Sequence, residues 1–172
     1  MAKLTKNDTS AMIDVGQPAP PFNLPDQNGT VHHVGGAGAS EASSWTVLYF
    51  YPKDDTSGCT KQACGFRDAD AALRDAGLLV LGVSPDNEKS HGKFAKKYAL
   101  PFPLLADVGA TVCTAYGVWQ QKSMYGRKYM GVVRTTYLID PAGRVAHRWD
   151  QVKVDGHAED VLAVARRAMA DG

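Results

Sequence analysis

A chain of 172 residues, 44% hydrophobic and 22% charged, has room for one domain with a substantial core. A formal net charge of +1 argues against a nucleic-acid or anionic membrane surface as partner, and no apolar run approaches the length of a bilayer span. Residues 1–14 are polar and contain no secretory apolar segment, so they are expected to form a flexible tail on a cytoplasmic protein, with a single domain over 15–172.

Residues 17–21 are proline-rich and extended. Segments 22–24 and 30–34 flank Asp26-Gln27-Asn28-Gly29, which predicts a small hairpin turning at Asn-Gly. A Gly/Ala/Ser loop over 35–44 leads into an apolar strand at 45–51. Helix is expected from about 59 to 75, ended by Gly77, followed by a second buried strand at 78–83. Ser84-Pro85-Asp86 opens a further helix that runs to about residue 98 and stops before Pro101. Residues 107–116 predict a short helix. Segments 132–140 and 144–150 predict a hairpin across Pro141-Ala142-Gly143, and 154–169 a terminal amphipathic helix. The order is that of an α/β protein with a mixed central sheet flanked by helices. It resembles a thioredoxin-like domain with an N-terminal β-hairpin extension.

Three cysteines are too few and too unevenly spaced for a disulfide framework. Two of them, Cys59 and Cys64, lie just beyond the apolar strand, near the expected start of a helix. Unpaired backbone N–H groups at a helix N-terminus favour a thiolate over a thiol. A second thiol five residues on can trap an oxidised first one, so the pair points to thiol redox chemistry. Ionisation alone is not enough for a fast reaction. Lowering a thiol pKa from about 8.5 to about 6 raises the thiolate fraction at pH 7 roughly 30-fold, but the accompanying loss of nucleophilicity cancels about 10-fold. A fast peroxide-reducing site therefore also needs donors aimed at the departing oxygen. Spacing adds a second constraint. Helical residues five apart have Cα atoms about 8–9 Å apart, beyond the roughly 7 Å reach of a disulfide. If both cysteines are helical, they bond only after part of the helix unwinds, and Gly65 lowers the cost of that step. A thioredoxin-type dithiol usually has two residues between its cysteines, whereas here there are four. His32, His33, His91, His147 and Cys113 show no recognisable metal-ligand spacing.

Pro52, Thr56 and Cys59 stand in a Pro-x-x-x-Thr-x-x-Cys pattern, and residues 122–140 carry a second, distant motif that includes Arg134. On these residues the chain resembles the peroxiredoxins, and within them the Q type, or bacterioferritin comigratory proteins. The resemblance covers about residues 16–170. It implies a thioredoxin-dependent peroxidase acting on hydrogen peroxide and organic hydroperoxides without metal, haem or flavin. It implies Cys59 as the peroxidatic nucleophile and Cys64 as the resolving cysteine that forms an intramolecular disulfide. Thr56 would hydrogen-bond the thiolate or the peroxide, Pro52 would shield the sulfur from water, and Arg134 would stabilise the thiolate and hold the substrate oxygens. Relatives of this type are often monomers. Three positions depart from common family residues: Ser57 for Pro, Gln62 for Glu and Gly65 for Asp. The Gln62 change removes a negative charge near the helix start, which by sign favours a thiolate.

Two other readings use the same residues: a thioredoxin-like disulfide oxidoreductase, and a peroxide sensor acting through an oxidation-dependent complex. Among the remaining residues, Cys113 reads as a small core residue of a short helix. Trp119 and Phe50 are candidates for pocket walls or plain core, and Tyr51 for the site entrance or a structural role. Lys53, Asp54, Arg127 and Lys128 read as solvated charges.

Overall fold

The Asn28-Gly29 turn forms as its sequence predicts. Phe22–Pro25 (β1) pairs antiparallel with Val31–Val34 (β2), and Gly29 takes a φ of 79°. A computed structural model describes residues 8–36 and 44–171, so most of the loop expected over 35–44 lies outside the described residues. The chain continues as Trp45–Phe50 (β3), Ser57–Asp68 (α1), Asp70–Asp75 (α2), Leu78–Ser84 (β4), Glu88–Tyr98 (α3) and Leu104–Ala106 (β5). Thr111–Ala115 (α4), Trp119–Met124 (β6), Arg127–Val132 (β7), Thr135–Ile139 (β8), Val145–Trp149 (β9) and His157–Asp171 (α5) complete it.

Among the described residues, the central sheet has five strands in the order β5-β4-β3-β8-β9. β3, β4 and β5 run parallel, while β8 and β9 are antiparallel to their neighbours. This is the expected mixed sheet. Alternation along β3 sorts the core into two layers. Leu48 and Phe50 join Leu81, Val83, Tyr116 and Tyr137 on one face. Val47 and Tyr49 join Val80, Phe66, Leu73, Phe94 and Val161 on the other, under the long helices. β3 and β4 are covered on both faces, which is why they read as continuous apolar runs.

Several boundaries differ from the sequence reading. The helix expected from 59 begins at Ser57, because Thr56 sits extended at its N-cap. It divides at Ala69, whose φ/ψ of −94°/2° leaves the helical region, and the following α2 buries Leu73. The strand expected over 132–140 is also two elements, with residues 133 and 134 between them. Three strands had no apolar alternation to reveal them. β5 is only three residues long, and β6 and β7 form a largely exposed hairpin rich in polar residues. Residues 8–14, expected in the flexible tail, pack onto the domain: Met12 is 4% exposed within the core. Gly117, at φ 73°, faces the Ala11 carbonyl so closely that any side chain would overlap it. Residues 1–7 lie outside the described residues. No helix among the described residues is long and apolar enough to cross a membrane.

His157 gives the fold a pH dependence. It is buried between the rings of Phe66 and Trp149, with Nε2 2.9 Å from Thr136 Oγ1. Burial pushes its pKa down to about 4, against a weaker opposing pull from Asp160. The folded state therefore holds His157 neutral where the unfolded chain binds a proton, so stability is lost as pH falls from about 6.5 towards 4. The expected loss is about 3 kcal/mol across that window. Chemical denaturation of the protein between pH 7.5 and 4.5 should show this decline, and His157→Gln should flatten it.

Candidate active site

Strand register brings the site together. Phe50 of β3 pairs with Thr135 of β8, so residue 134 sits one step beyond the paired strands, beside the turn that leads into α1. Arg134 occupies the short break between β7 and β8, where its backbone carbonyl accepts from Val152 N. A charge within Val-Val-Arg-Thr-Thr is tolerated because the side chain leaves the strand and meets polar partners. Its Nη2 donates to Cys59 Sγ at 3.3 Å, and its Nη1 donates to Gln62 Oε1.

Cys59 lies in the first turn of α1 and is 1% exposed, packed with Tyr49, Tyr51, Ala63 and Phe66. Thr60 N to Thr56 O, at 2.8 Å, closes the first turn. The Thr56 side chain does not cap the helix; its hydroxyl donates to Lys53 O at 2.8 Å. The backbone N–H groups at this end have no partner within the helix, so the end is suited to an anion. With its proton directed to Lys53, Thr56 Oγ1 is left to accept rather than donate. In this geometry it does not stabilise the sulfur by donation, one of the two roles expected of it. Pro52 is half-buried at the end of β3, and Cys64 is half-buried on the same helix as Cys59. Both cysteines are free and both lie on α1.

Gln62 is 2% exposed and holds Arg134 through an uncharged amide. A carboxylate there would neutralise the guanidinium; the amide orients it and leaves its charge to the sulfur. Gly58 supplies the space: a Cβ at this position would stand 3.1 Å from Arg134 Nη2.

Two polar residues of this region escaped the sequence reading. Asp54, expected to be solvated, is buried and accepts from Tyr51 Oη at 2.6 Å and Ser90 Oγ at 2.7 Å. Lys122 on β6 donates to Val132 O at 2.8 Å; burial and the neighbouring Arg134 push its pKa down, while Cys59 acts in the opposite sense. Hydrophobic periodicity carries no signal for either. Tyr51 is fully buried and Phe50 belongs to the core beside Tyr116 and Tyr137, so neither is exposed at an entrance. Trp119 packs partly against the same core. Cys113 is wholly buried, and burial, followed by Asp107, pushes its thiol pKa well up, which makes it inert.

Gly58→Ala separates fold from site. Alanine is the better helix former by up to about 1 kcal/mol, so thermal stability should hold or rise. Displacement of Arg134 should nevertheless slow iodoacetamide alkylation of Cys59 at pH 7 several-fold. A melting curve and an alkylation time course on the same sample check both parts.

The AhpC/TSA family pattern matches residues 15–148. A putative peroxiredoxin bcp from Coxiella burnetii is 49% identical over 150 residues, covering 87% of this chain and 97% of that protein. Peroxiredoxin Bcp of Bacillus subtilis is 41% identical over 150 residues, covering 87% and 93%. Peroxiredoxin Q of Xanthomonas campestris superposes with a TM-score of 0.79 at 38% identity, over 92% of this chain and 98% of its own. Structures of the Xanthomonas bacterioferritin comigratory protein, in trapped intermediate and ligand complexes concerned with its alkyl peroxide reduction activity, match with the same score at 38% identity, over 93% and 99%. The mixed α/β fold agrees with these likenesses, and the chain belongs to the AhpC/TSA family, on its Bcp or Q-type peroxiredoxin branch.

Proposed function

We propose that Cys59 is the peroxidatic nucleophile of a thiol peroxidase, that Cys64 resolves it, and that thioredoxin or a similar dithiol protein restores the pair. One observation carries the reading: the buried Cys59 sulfur accepts from Arg134 Nη2 at 3.3 Å in the first turn of a helix. A structural cysteine gains nothing from a guanidinium on its sulfur. A nucleophilic thiolate gains a counter-charge.

The thiolate sulfur of Cys59 attacks the distal oxygen of a hydroperoxide. An S–O bond forms, the O–O bond breaks, and its electron pair leaves with the proximal oxygen, which takes up a proton to become water or an alcohol. Cys59 is left as a sulfenic acid. Arg134 has five N–H donors, of which one meets Cys59 and another Gln62. The remaining donors are available to the peroxide oxygens, supplying the stabilisation of the departing oxygen that ionisation alone does not. Thr56 Oγ1, with its proton on Lys53 O, accepts from the hydroperoxide O–H and orients it. Pro52 covers the sulfur against bulk water.

Cys64 then attacks the sulfenic sulfur, an S–S bond forms, and hydroxide leaves as water. Both cysteines are on α1, so the first turns of that helix unwind before the bond closes. The dithiol reductant then transfers its electrons to the disulfide and is itself oxidised. A cytoplasmic setting suits a site that must be returned to its thiol form.

A coupled assay with thioredoxin, its reductase and NADPH tests the reading. Cys59→Ser should abolish turnover with hydrogen peroxide and with an organic hydroperoxide; normal turnover in that variant would refute the assignment. Cys64→Ser should consume about one equivalent of peroxide and then, under excess, accumulate Cys59 sulfinic acid by mass spectrometry. Helix unwinding has its own test. A Cβ at Gly65 would stand 4.0 Å from Ala158 Cβ, so alanine fits. Gly65→Ala should favour the helix by about 1 kcal/mol and slow disulfide formation roughly fivefold, leaving the peroxide step unchanged in stopped-flow measurements.

A further inference from the structure

The turn between β3 and α1 is short of apolar anchors. Lys53, Asp55 and Thr56 are exposed, and Asp55 adopts a left-handed φ of 58°. What holds it is α3. Asp54 enters the interior and meets the first turn of α3: Oδ2 accepts from Ser90 Oγ at 2.7 Å and lies 2.7 Å from His91 Nδ1, while Oδ1 accepts from Tyr51 Oη at 2.6 Å. Asp55 meets the last turn, accepting from Lys97 Nζ and Tyr98 Oη, both at 2.8 Å. The two attachment points are seven residues apart, two helical turns, and therefore share one face of α3.

His91 is wholly buried, and its other ring nitrogen fixes the proton arrangement. Nε2 faces Leu105 O at 2.9 Å; a carbonyl only accepts, so Nε2 carries a proton. Tyr51 and Ser90 have already placed their single protons on Asp54. The Nδ1–Oδ2 contact therefore holds one proton between the ring and the carboxyl group. Asp54, Asp86 and His91 place donor atoms within 4.8 Å of one another, close enough to suit a cation. Protein donors already occupy the two carboxylates, since Asp86 Oδ2 accepts from Ser84 Oγ at 2.6 Å and Asp54 N at 2.8 Å. The cluster is built as a hydrogen-bond network.

We propose that this network is a latch. Resting on the peroxidase reading above, the Tyr51–Asp54–His91 triangle and the Asp55 contacts with Lys97 and Tyr98 hold the 52–56 turn so that α1 begins where Cys59 meets Arg134. Its release is the first movement towards the unwound form in which Cys64 reaches Cys59. His91, Asp54, Lys97 and Asp55 are positioning residues: they touch neither sulfur nor peroxide, and they set the balance between the helical, peroxide-reactive form and the unwound, disulfide-forming one. Arg67 Nη1 donates to Tyr98 O at 2.8 Å, so the far end of α1 is tied to the same helix and the latch governs its beginning.

The distinguishing readout is a pair of rates that move in opposite directions. In wild type, His91→Gln and the exposed-site variant Lys97→Met, stopped-flow mixing with hydrogen peroxide gives the rate of Cys59 oxidation and the rate of disulfide formation. Mass spectrometry gives the sulfinic acid fraction at graded peroxide. His91→Gln should slow oxidation roughly tenfold and speed disulfide formation several-fold, lowering sulfinic acid; Lys97→Met should shift all three the same way by about twofold, in line with buried and exposed hydrogen bonds to charged groups. Unchanged rates, or both rates falling together, overturn the latch. Should His91→Gln fail to fold, Lys97→Met and Ser90→Ala decide by the same criterion. If wild type itself forms no peroxide-dependent Cys59–Cys64 disulfide, the peroxidase reading fails and takes the latch with it.

Discussion

The contact between the Arg134 guanidinium and the Cys59 sulfur sets the terms for the rest of the molecule. A buried sulfur that is to carry charge needs a counter-charge, and a cation beside a sheet needs somewhere to put its polar atoms. One arrangement answers both. The short break between β7 and β8 frees the side chain, the Phe50–Thr135 register aims it over the start of α1, and Gly58 leaves it space. Gln62 completes the arrangement by holding the guanidinium through an uncharged oxygen. A carboxylate would have held Arg134 more firmly and weakened its pull on the thiolate.

In the proposed cycle the same helix is ordered for one half and unravelled for the other. Its construction suits both. α1 has twelve residues, including Gly58, Thr60 and Gly65, a length and composition marginally stable on their own. Its buried residues are only Cys59, Gln62, Ala63 and Phe66. Order in the first turn therefore depends on what surrounds it: Arg134 from the sheet, and the carboxylates of the preceding turn on α3. Such contacts are directional and can be broken one at a time, whereas a large apolar face would have to be lifted whole. At the far end, Phe66 is packed against Tyr49 and His157, so unwinding has a natural stop.

The polar network under the 52–56 turn shows how position in the fold changes the meaning of a residue. In sequence, Lys53-Asp54-Asp55-Thr56 is an ordinary hydrophilic turn. In the fold, its two carboxylates point to opposite ends of α3, one buried with a histidine and a tyrosine, one at the surface with a lysine. Burial of Asp54 costs solvation, which the Tyr51 and Ser90 hydroxyl donors and the contact with His91 Nδ1 offset. The outcome is a turn anchored by polar contacts despite having little apolar surface of its own.

The elements legible in the sequence were those whose signal is local. Apolar runs announced β3 and β4, Asn28-Gly29 announced the first hairpin, the Cys59–Cys64 pair near a helix start announced thiol redox chemistry, and the Pro52, Thr56 and Cys59 pattern with the 122–140 motif carried the resemblance to the family. The spacing of Cys59 and Cys64 alone established that both cannot be helical and bonded at once. The exposed β6–β7 hairpin, the three-residue β5 and the break at Arg134 had no periodicity to betray them. The burial of Asp54, its pairing with a histidine 37 residues away, and the role of Gln62 as an uncharged holder of Arg134, 72 residues away, were decided only in three dimensions. The reason is physical: local patterns record how a chain meets water, whereas the partner of a buried polar group is set by sheet register and helix packing between segments far apart in the chain.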